Sequence, residues 1–166
     1  MSQRLPAAMV TALYRCLLTD TITLARSLTG VEVAVMCPSS DCDEVADFLG
    51  RAVPVVPQNG EGLAAGLISV FAQFAAAGRQ RTIAFNSDSP HLASSVLYSA
   101  FQALEVRDLV IGPTHDGGYY LVGAKASHPT LFENDGLGTS SALERLLTRA
   151  QALELSSALT EPFYDI

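Results

Sequence analysis

The feature that most constrains this chain is a regular alternation between short runs rich in β-branched residues and longer helix-forming stretches. Residues 31–36, 51–57, 81–86, 108–112 and 119–124 read as strands, each stopped by glycine, proline or small polar residues. Between them, residues 6–28, 41–49, 62–77, 93–104 and 139–150 read as helices. In the first of these Leu13, Leu17, Leu24 and Leu28 recur at helical spacing and predict a buried stripe, with Pro6 in the first turn and Gly30 past the end. Ser40 or Asp41 is placed to cap the second helix. Strands alternating with helices predict an α/β fold of three layers, a mostly parallel sheet covered by helices on both faces. With no linker, repeat or low-complexity tract, residues 1–166 are expected to form a single domain.

Composition narrows the function classes. A chain of 166 residues that is 49% hydrophobic can bury a sizeable core. Its net charge of −7 disfavours a long phosphate backbone or an anionic membrane surface, so neither nucleic acid nor membrane is an expected partner. A small anionic ligand is still compatible, because a divalent cation or a few aimed N–H groups outweigh global charge locally. Cys16, Cys37 and Cys42 are an odd number without a second metal-ligand pair, which predicts reduced thiols rather than a disulfide framework or zinc site. No apolar run approaches the ~20 residues that cross a bilayer, and the start lacks the order of a targeting segment. A soluble, cytoplasmic protein is the expectation.

An open parallel sheet binds its ligand outside the carboxyl ends of its strands, so the loops leaving strands are where chemistry is expected. Three stand out. Gln58-Asn59-Gly60-Glu61-Gly62 places two glycines before a helix, where backbone N–H groups can approach a phosphate. Its alternative is a plain turn in which Glu61 favours the helix dipole. Asn86-Ser87-Asp88-Ser89-Pro90-His91 places the Asp88 carboxylate at the sheet edge, a position suited to Mg²⁺, unless Asp88 or Ser89 caps the next helix. The third, residues 112–118, contains Asp116-Gly117-Gly118, in which the glycines permit close backbone approach and the carboxylate can accept from sugar hydroxyls. An Asp-Gly hairpin turn is the alternative there.

His91 and His115 flank these carboxylates, but no serine or cysteine lies in a nucleophile motif beside them, and a solvated loop histidine is the commoner outcome. Tyr119 and Tyr120 occupy alternate strand positions, which send one ring to the core and leave the other to stack on a base or sugar.

Taken in order, Arg4-Leu5, Leu13-Tyr14-Arg15, Gln58 with Gly60 and Leu63, Ser87-Asp88-Ser89-Pro90, Gly112-Pro113, the run from Asp116 to Gly123, Gly138-Thr139-Ser140 and Tyr164-Asp165-Ile166 carry a resemblance. The chain resembles a bacterial family of glycosyltransferase-like proteins often encoded beside radical-SAM enzymes. That family lies within the GT-A nucleotide-diphospho-sugar transferase superfamily, which also holds nucleotidyltransferases. The resemblance implies that Asp88 ligates Mg²⁺ or Mn²⁺, with Asp165 as a second ligand, and that Asp88 and Asp116 are catalytic. It further implies that Arg4, Gln58, Gly60, Gly117, Gly118, Tyr119 and Thr139 line the nucleotide and sugar.

Departures from the family pattern shape the functional expectation. The usual first strand and its phosphate-binding loop with Lys and Arg are not in this sequence, Gly66 stands where an arginine is usual, and Leu137 stands before Gly138 where a tryptophan is usual. The leading expectation is a metal-dependent glycosyl transferase-like protein acting on a nucleotide-diphospho-sugar. The alternatives are a nucleotidyltransferase using a nucleoside triphosphate, or a binding module without turnover. A sheet without its first strand is also expected to expose a gap, filled by a second subunit in a homodimer, by a rearranged terminus, or by residues outside this chain.

Overall fold

The computed structural model describes residues 6–89, 91–133 and 139–164. Five helices and six strands alternate for most of its length: α1 (Ala7–Arg26), β1 (Val35–Cys37), α2 (Cys42–Phe48), β2 (Val55–Pro57), α3 (Gly62–Ala76), β3 (Thr82–Phe85), α4 (Ser94–Val106), β4 (Leu109–Pro113), β5 (Tyr119–Ala124), α5 (Ala142–Ala152) and β6 (Ser157–Leu159). The expected elements are all present. The strands predicted at 31–36 and 51–57 shrink to their last residues, and β6 was not foreseen, because Ser157-Ala158-Leu159 has no β-branched residue to mark it.

The mostly parallel sheet is corrected. β1 and β2 form a parallel pair, while a separate four-stranded sheet runs β3-β5-β4-β6 and is mixed. β5 is antiparallel to both β3 and β4, and only β4 and β6 pair in parallel. The cause is visible in connection length: residues 114–118 are enough for a hairpin and too few for the crossover that a parallel neighbour needs.

Two hydrophobic clusters cover the faces of the larger sheet. On one, Leu67 and Phe71 of α3 and Leu146 and Ala150 of α5 pack on Leu109, Ile111 and Val122, with Phe71 stacked on Phe132 at a centroid distance of 5.5 Å. On the other, Val96, Leu97, Ala100 and Leu104 of α4, with Leu28 beyond the end of α1, pack on Val110, Tyr120 and Leu121. The alternation of Leu109 and Ile111 with Val110 sends successive side chains of one strand into opposite clusters.

The predicted leucine stripe of α1 holds only at its C-terminal end. Thr21, Ile22 and Ala25 are buried within the helix, whereas Leu13 is 49% exposed. The expectation that no segment is long and apolar enough to span a bilayer is also corrected: α1 has 20 residues, and an 18-residue window reaches a mean hydropathy of 1.2 with 11% of it buried. Arg15, which ion-pairs with Glu44 of α2 at 3.2 Å, interrupts that stretch. A groove of about 720 Å³ lies between β1 and β3 and is lined by residues of both strands.

Candidate functional site

β3 and β4 are both antiparallel to β5, and β6 is parallel to β4, so all three point the same way and the segments that leave them emerge at one edge. There they touch. His91 lies 5.6 Å from Phe163, and His115 lies 4.4 Å from Tyr164, ring centroid to centroid. The backbone N–H of Phe163 donates to Pro113 (3.0 Å), and that of His115 donates to the Phe163 carbonyl (3.1 Å). Phe163 also meets the Tyr120 ring edge-on at 5.3 Å. It was missed in the sequence, where one aromatic in a polar tail carries little signal.

The loop after β3 is held from both sides. Asn86 donates its N–H to Tyr120 (3.1 Å), continuing the β3–β5 ladder, and the Thr21 hydroxyl of α1 donates to the Ser87 carbonyl (3.0 Å). Ser89 is buried, and its carbonyl accepts from Leu92 (3.1 Å). The N-cap position of α4 is Ala93, so neither Asp88 nor Ser89 caps that helix. Asp88 is half-buried and, among the described residues, has no hydrogen-bond or ion-pair partner. Two residues earlier, Asn86 Oδ1 is buried without a hydrogen-bond partner among the described residues.

The turn between β4 and β5 explains its sequence. The Thr114 hydroxyl donates to Asp116 Oδ1 (2.5 Å), Gly118 N–H donates to the same oxygen (3.2 Å), and Thr114 N–H donates to Gly118 (3.0 Å). These bonds, the hydroxyl first, hold the Asp116 carboxyl below its usual pKa. Gly117 has φ +92°, and a Cβ there would sit 2.1 Å from the Ser140 carbonyl oxygen. This close approach brings Thr139 and Ser140 against the turn, reinforced by the Leu143 N–H donating to Gly117 (3.0 Å). The hairpin reading is thus realised, with Asp116 Oδ1 as its anchor.

Tyr120 is the ring sent to the core: it is 3% exposed, and its hydroxyl bonds Thr160 (2.7 Å) and the Glu161 carbonyl (3.1 Å). Burial raises its pKa. Tyr119 is half-buried against the cluster under α3 and α5. Gln58 and Gly60 lie in the loop leaving β2, where Gln58 borders the groove. There Gln58 Nε2 donates to the Gly60 carbonyl (3.0 Å), while Asn59 N–H donates to the buried Ser69 hydroxyl of α3 (2.9 Å). Gly66 leaves room for Gln58, whose Oε1 would lie 3.0 Å from a Cβ there. The Cys37 and Cys42 sulfurs are 3.6 Å apart as free thiols, and burial, with Cys42 beside it, pushes Cys37 up to about 12. Arg4, Pro90, Leu137, Gly138, Asp165 and Ile166 lie outside the described residues.

An α/β fold with a hairpin strand in its larger sheet, and a carboxylate without a partner among the described residues at the edge where segments leaving β3, β4 and β6 meet, are the features taken to comparison with known proteins. Residues 21–139 match a family described as an uncharacterised protein conserved in bacteria, DUF2064, and the chain belongs to that family. No curated protein matches the chain. Among solved structures it is similar to a protein from Desulfovibrio desulfuricans G20 assigned as a nucleotide-diphospho-sugar transferase. The TM-score is 0.85 at 21% identity, over 93% of this chain and 69% of that one. It is also similar to molybdopterin-guanine dinucleotide biosynthesis protein A from Archaeoglobus fulgidus (TM-score 0.57, 15% identity, 87% and 69% covered). A third is 4-diphosphocytidyl-2C-methyl-D-erythritol synthase from Anaerococcus prevotii DSM 20548 (0.55, 12%, 90% and 77%). At these identities the likeness establishes the α/β fold alone.

Proposed function

We propose that the chain is a transferase-like protein that binds a nucleotide-diphospho-sugar at the carboxyl edge of its larger sheet, with Asp88 as the anchor of a divalent cation. The observation that carries this reading is the Asp88 carboxylate, without a partner among the described residues, on a loop fixed by Thr21 and Tyr120. Among the described residues no cluster of three His, Cys, Asp or Glu side chains forms a cage. The proposed ion is Mg²⁺ or Mn²⁺ held on a substrate, where it would keep waters and substrate oxygens and need one or two carboxylates. Asp88 would hold the ion, Asn86 Oδ1 is a nearby oxygen donor, and Asp165 is the second carboxylate of the proposal. When bound, the ion supplies neutralisation of the charge that develops on a diphosphate leaving group.

The other groups orient the ligand. Asp116 spends Oδ1 on its turn, so Oδ2 is the atom with which it accepts from a sugar hydroxyl. Gly117 and Gly118 let the ligand approach the backbone beside Thr139, and Tyr119 packs at the start of β5. Gln58 and Gly60, in the loop leaving β2, and Arg4 are proposed as further nucleotide contacts.

A second reading, binding without turnover, is favoured by one observation. The ion pairs of the described residues, Arg15–Glu44, Arg51–Asp47, Arg79–Glu32 and Arg81–Glu105, all lie away from the three loops, whereas transferring a phosphate ester calls for cations at the reacting charge. Titration calorimetry with nucleoside-diphosphate sugars, with and without Mg²⁺, tests the first reading. Asp88→Ala is expected to weaken Mg²⁺-dependent binding by roughly tenfold or more while circular dichroism stays unchanged. Equal binding by the variant removes Asp88 from the site. Intact metal-dependent binding with no product from any sugar nucleotide or triphosphate supports the second reading.

A further inference from the structure

The half-buried Cys37 and Cys42 face each other with their sulfurs in contact at 3.6 Å. The fold brings them together by a short route. β1 ends at Cys37, Pro38 turns the chain at φ −51° and ψ 143°, a single 3₁₀ turn runs over Ser39–Asp41, and α2 begins at Cys42. Asp41 N–H closes that turn by donating to the Pro38 carbonyl (2.9 Å), and the Cys42 thiol points back at the same carbonyl at 3.6 Å. Cys16 is exposed on α1 and takes no part in the pair. Bonded sulfurs lie about 2.05 Å apart, so closing the pair asks for an approach of about 1.5 Å. Side-chain rotation and a small settling of the 3₁₀ turn, the weakest piece of secondary structure on the path, supply it.

We infer that Cys37 and Cys42 form a reversible modification site, a dithiol that closes to an intrachain disulfide when it meets a low-molecular-weight disulfide. The chemistry balances as a pair of exchange steps. Cys42 loses its proton and attacks one sulfur of the small disulfide, which releases one small thiol and leaves a mixed disulfide on Cys42. Cys37 then gives up its proton and attacks the Cys42 sulfur, breaking the mixed bond and releasing the second small thiol. The chain is oxidised by one electron pair, and the small disulfide is reduced by the same pair. Surroundings set the order. Burial, with Cys42 and Asp41 beside it, pushes the Cys37 thiol up to about 12, so Cys37 keeps its proton in the first step. Once Cys42 is capped it carries neither a thiol hydrogen bond nor a charge, and its share of that shift is gone when Cys37 reacts. The site adjoins the loop after β2. The Cys37 carbonyl accepts from the Gln58 N–H (2.9 Å), and the Ser39 hydroxyl donates to the Gln58 carbonyl at 3.5 Å. Closure therefore tightens the turn against which Gln58 is held, whether or not that loop contacts a nucleotide.

The test incubates the folded chain in mixtures of oxidised and reduced glutathione, quenches by alkylation and digests with trypsin. Cleavage after Arg26 and Arg51 leaves Cys37 and Cys42 on one peptide and Cys16 on another. The 27–51 peptide is expected unalkylated and lighter by a pair of hydrogen atoms, a change that excess reduced glutathione reverses. Cys16 is expected to show only alkylation or a glutathione adduct. Since thiols five residues apart also meet in an unfolded chain, the same mixtures are applied in urea. The effective concentration of the pair is expected to be roughly tenfold or more higher in the folded protein. Cys37→Ser is expected to trap glutathione on Cys42, and Cys42→Ser to leave Cys37 unmodified. Exchange of the Gln58 amide is expected to slow several-fold on closure. Equal effective concentrations in the folded protein and in urea overturn the inference. So do stable separate adducts on both cysteines of the parent, or a 27–51 peptide that stays fully alkylated at ratios that modify Cys16.

Discussion

β1 and β4 are both short apolar strands that follow a helix, yet every residue of β4 is buried and every residue of β1 is half-exposed. Composition does not separate them: Val-Met-Cys is as apolar as Leu-Val-Ile. Lateral neighbours do. β4 has β5 on one side and β6 on the other, whereas β1 has β2 on one side and a groove on the other. Burial in a sheet covered on both faces thus belongs to the ladder as much as to the strand, and a strand without both neighbours leaves its covering helices half-wetted as well.

The comparison is sharpest in core truncations. Ile111→Ala should cost about 3 kcal/mol in urea unfolding, because the side chain is fully enclosed between α3 and α5. Met36→Ala should cost less than about 1 kcal/mol, since the removed atoms border the groove. Equal losses would mean that the outer strand pair is as tightly packed as the larger sheet.

A smaller effect is expected at the β4–β5 turn. Gly117→Ala forces a left-handed φ on alanine and drives its Cβ into the Ser140 carbonyl, with an expected loss of about 2 kcal/mol, visible as a lower Tm. Gly30→Ala, also at positive φ but with open space around the new Cβ, should cost about half as much. A reversed order would show that the turn yields by moving away from α5.

The smallest effect is titratable. Asp108 Oδ2 accepts from the Ser156 hydroxyl (2.5 Å) and N–H (3.0 Å), fastening β6 to β4, and these bonds lower its pKa from 3.8. The carboxylate is the form that the fold prefers. Its contribution is therefore present above the unfolded value and lost as pH falls through the lowered folded one. Melting curves between about pH 5 and pH 2 should show a fall in Tm in the parent that is absent from Asp108→Asn.

Much of this was legible in the sequence, for identifiable reasons. Alternating elements, the loops after β3 and β4, and the burial of one of two adjacent tyrosines follow from local periodicity and turn chemistry. The antiparallel β5 was also within reach, since the short connection at 114–118 permits nothing else, but a rule for strands alternating with helices overrode it. The leucine stripe of α1 misled because periodicity reports which face is apolar and not whether anything lies beneath it. β6 and Phe163 were invisible because their roles come from partners some 40 residues away in sequence, Tyr120 among them.

α3 carries a mechanical consequence. Among the described residues, no ladder hydrogen bonds join the β1–β2 pair to the larger sheet. α3 grips the loop after β2 through Ser69 and Gln73, whose amide also bonds Pro57 (2.9 Å), and it grips the larger sheet through Leu67 and Phe71. It is the splint across a divided sheet. A pulling force applied between β2 and β4 would meet side-chain contacts and one ion pair rather than a shearing row of backbone bonds. The chain should then yield first along the groove, leaving β3 through β6 intact as the more resistant half.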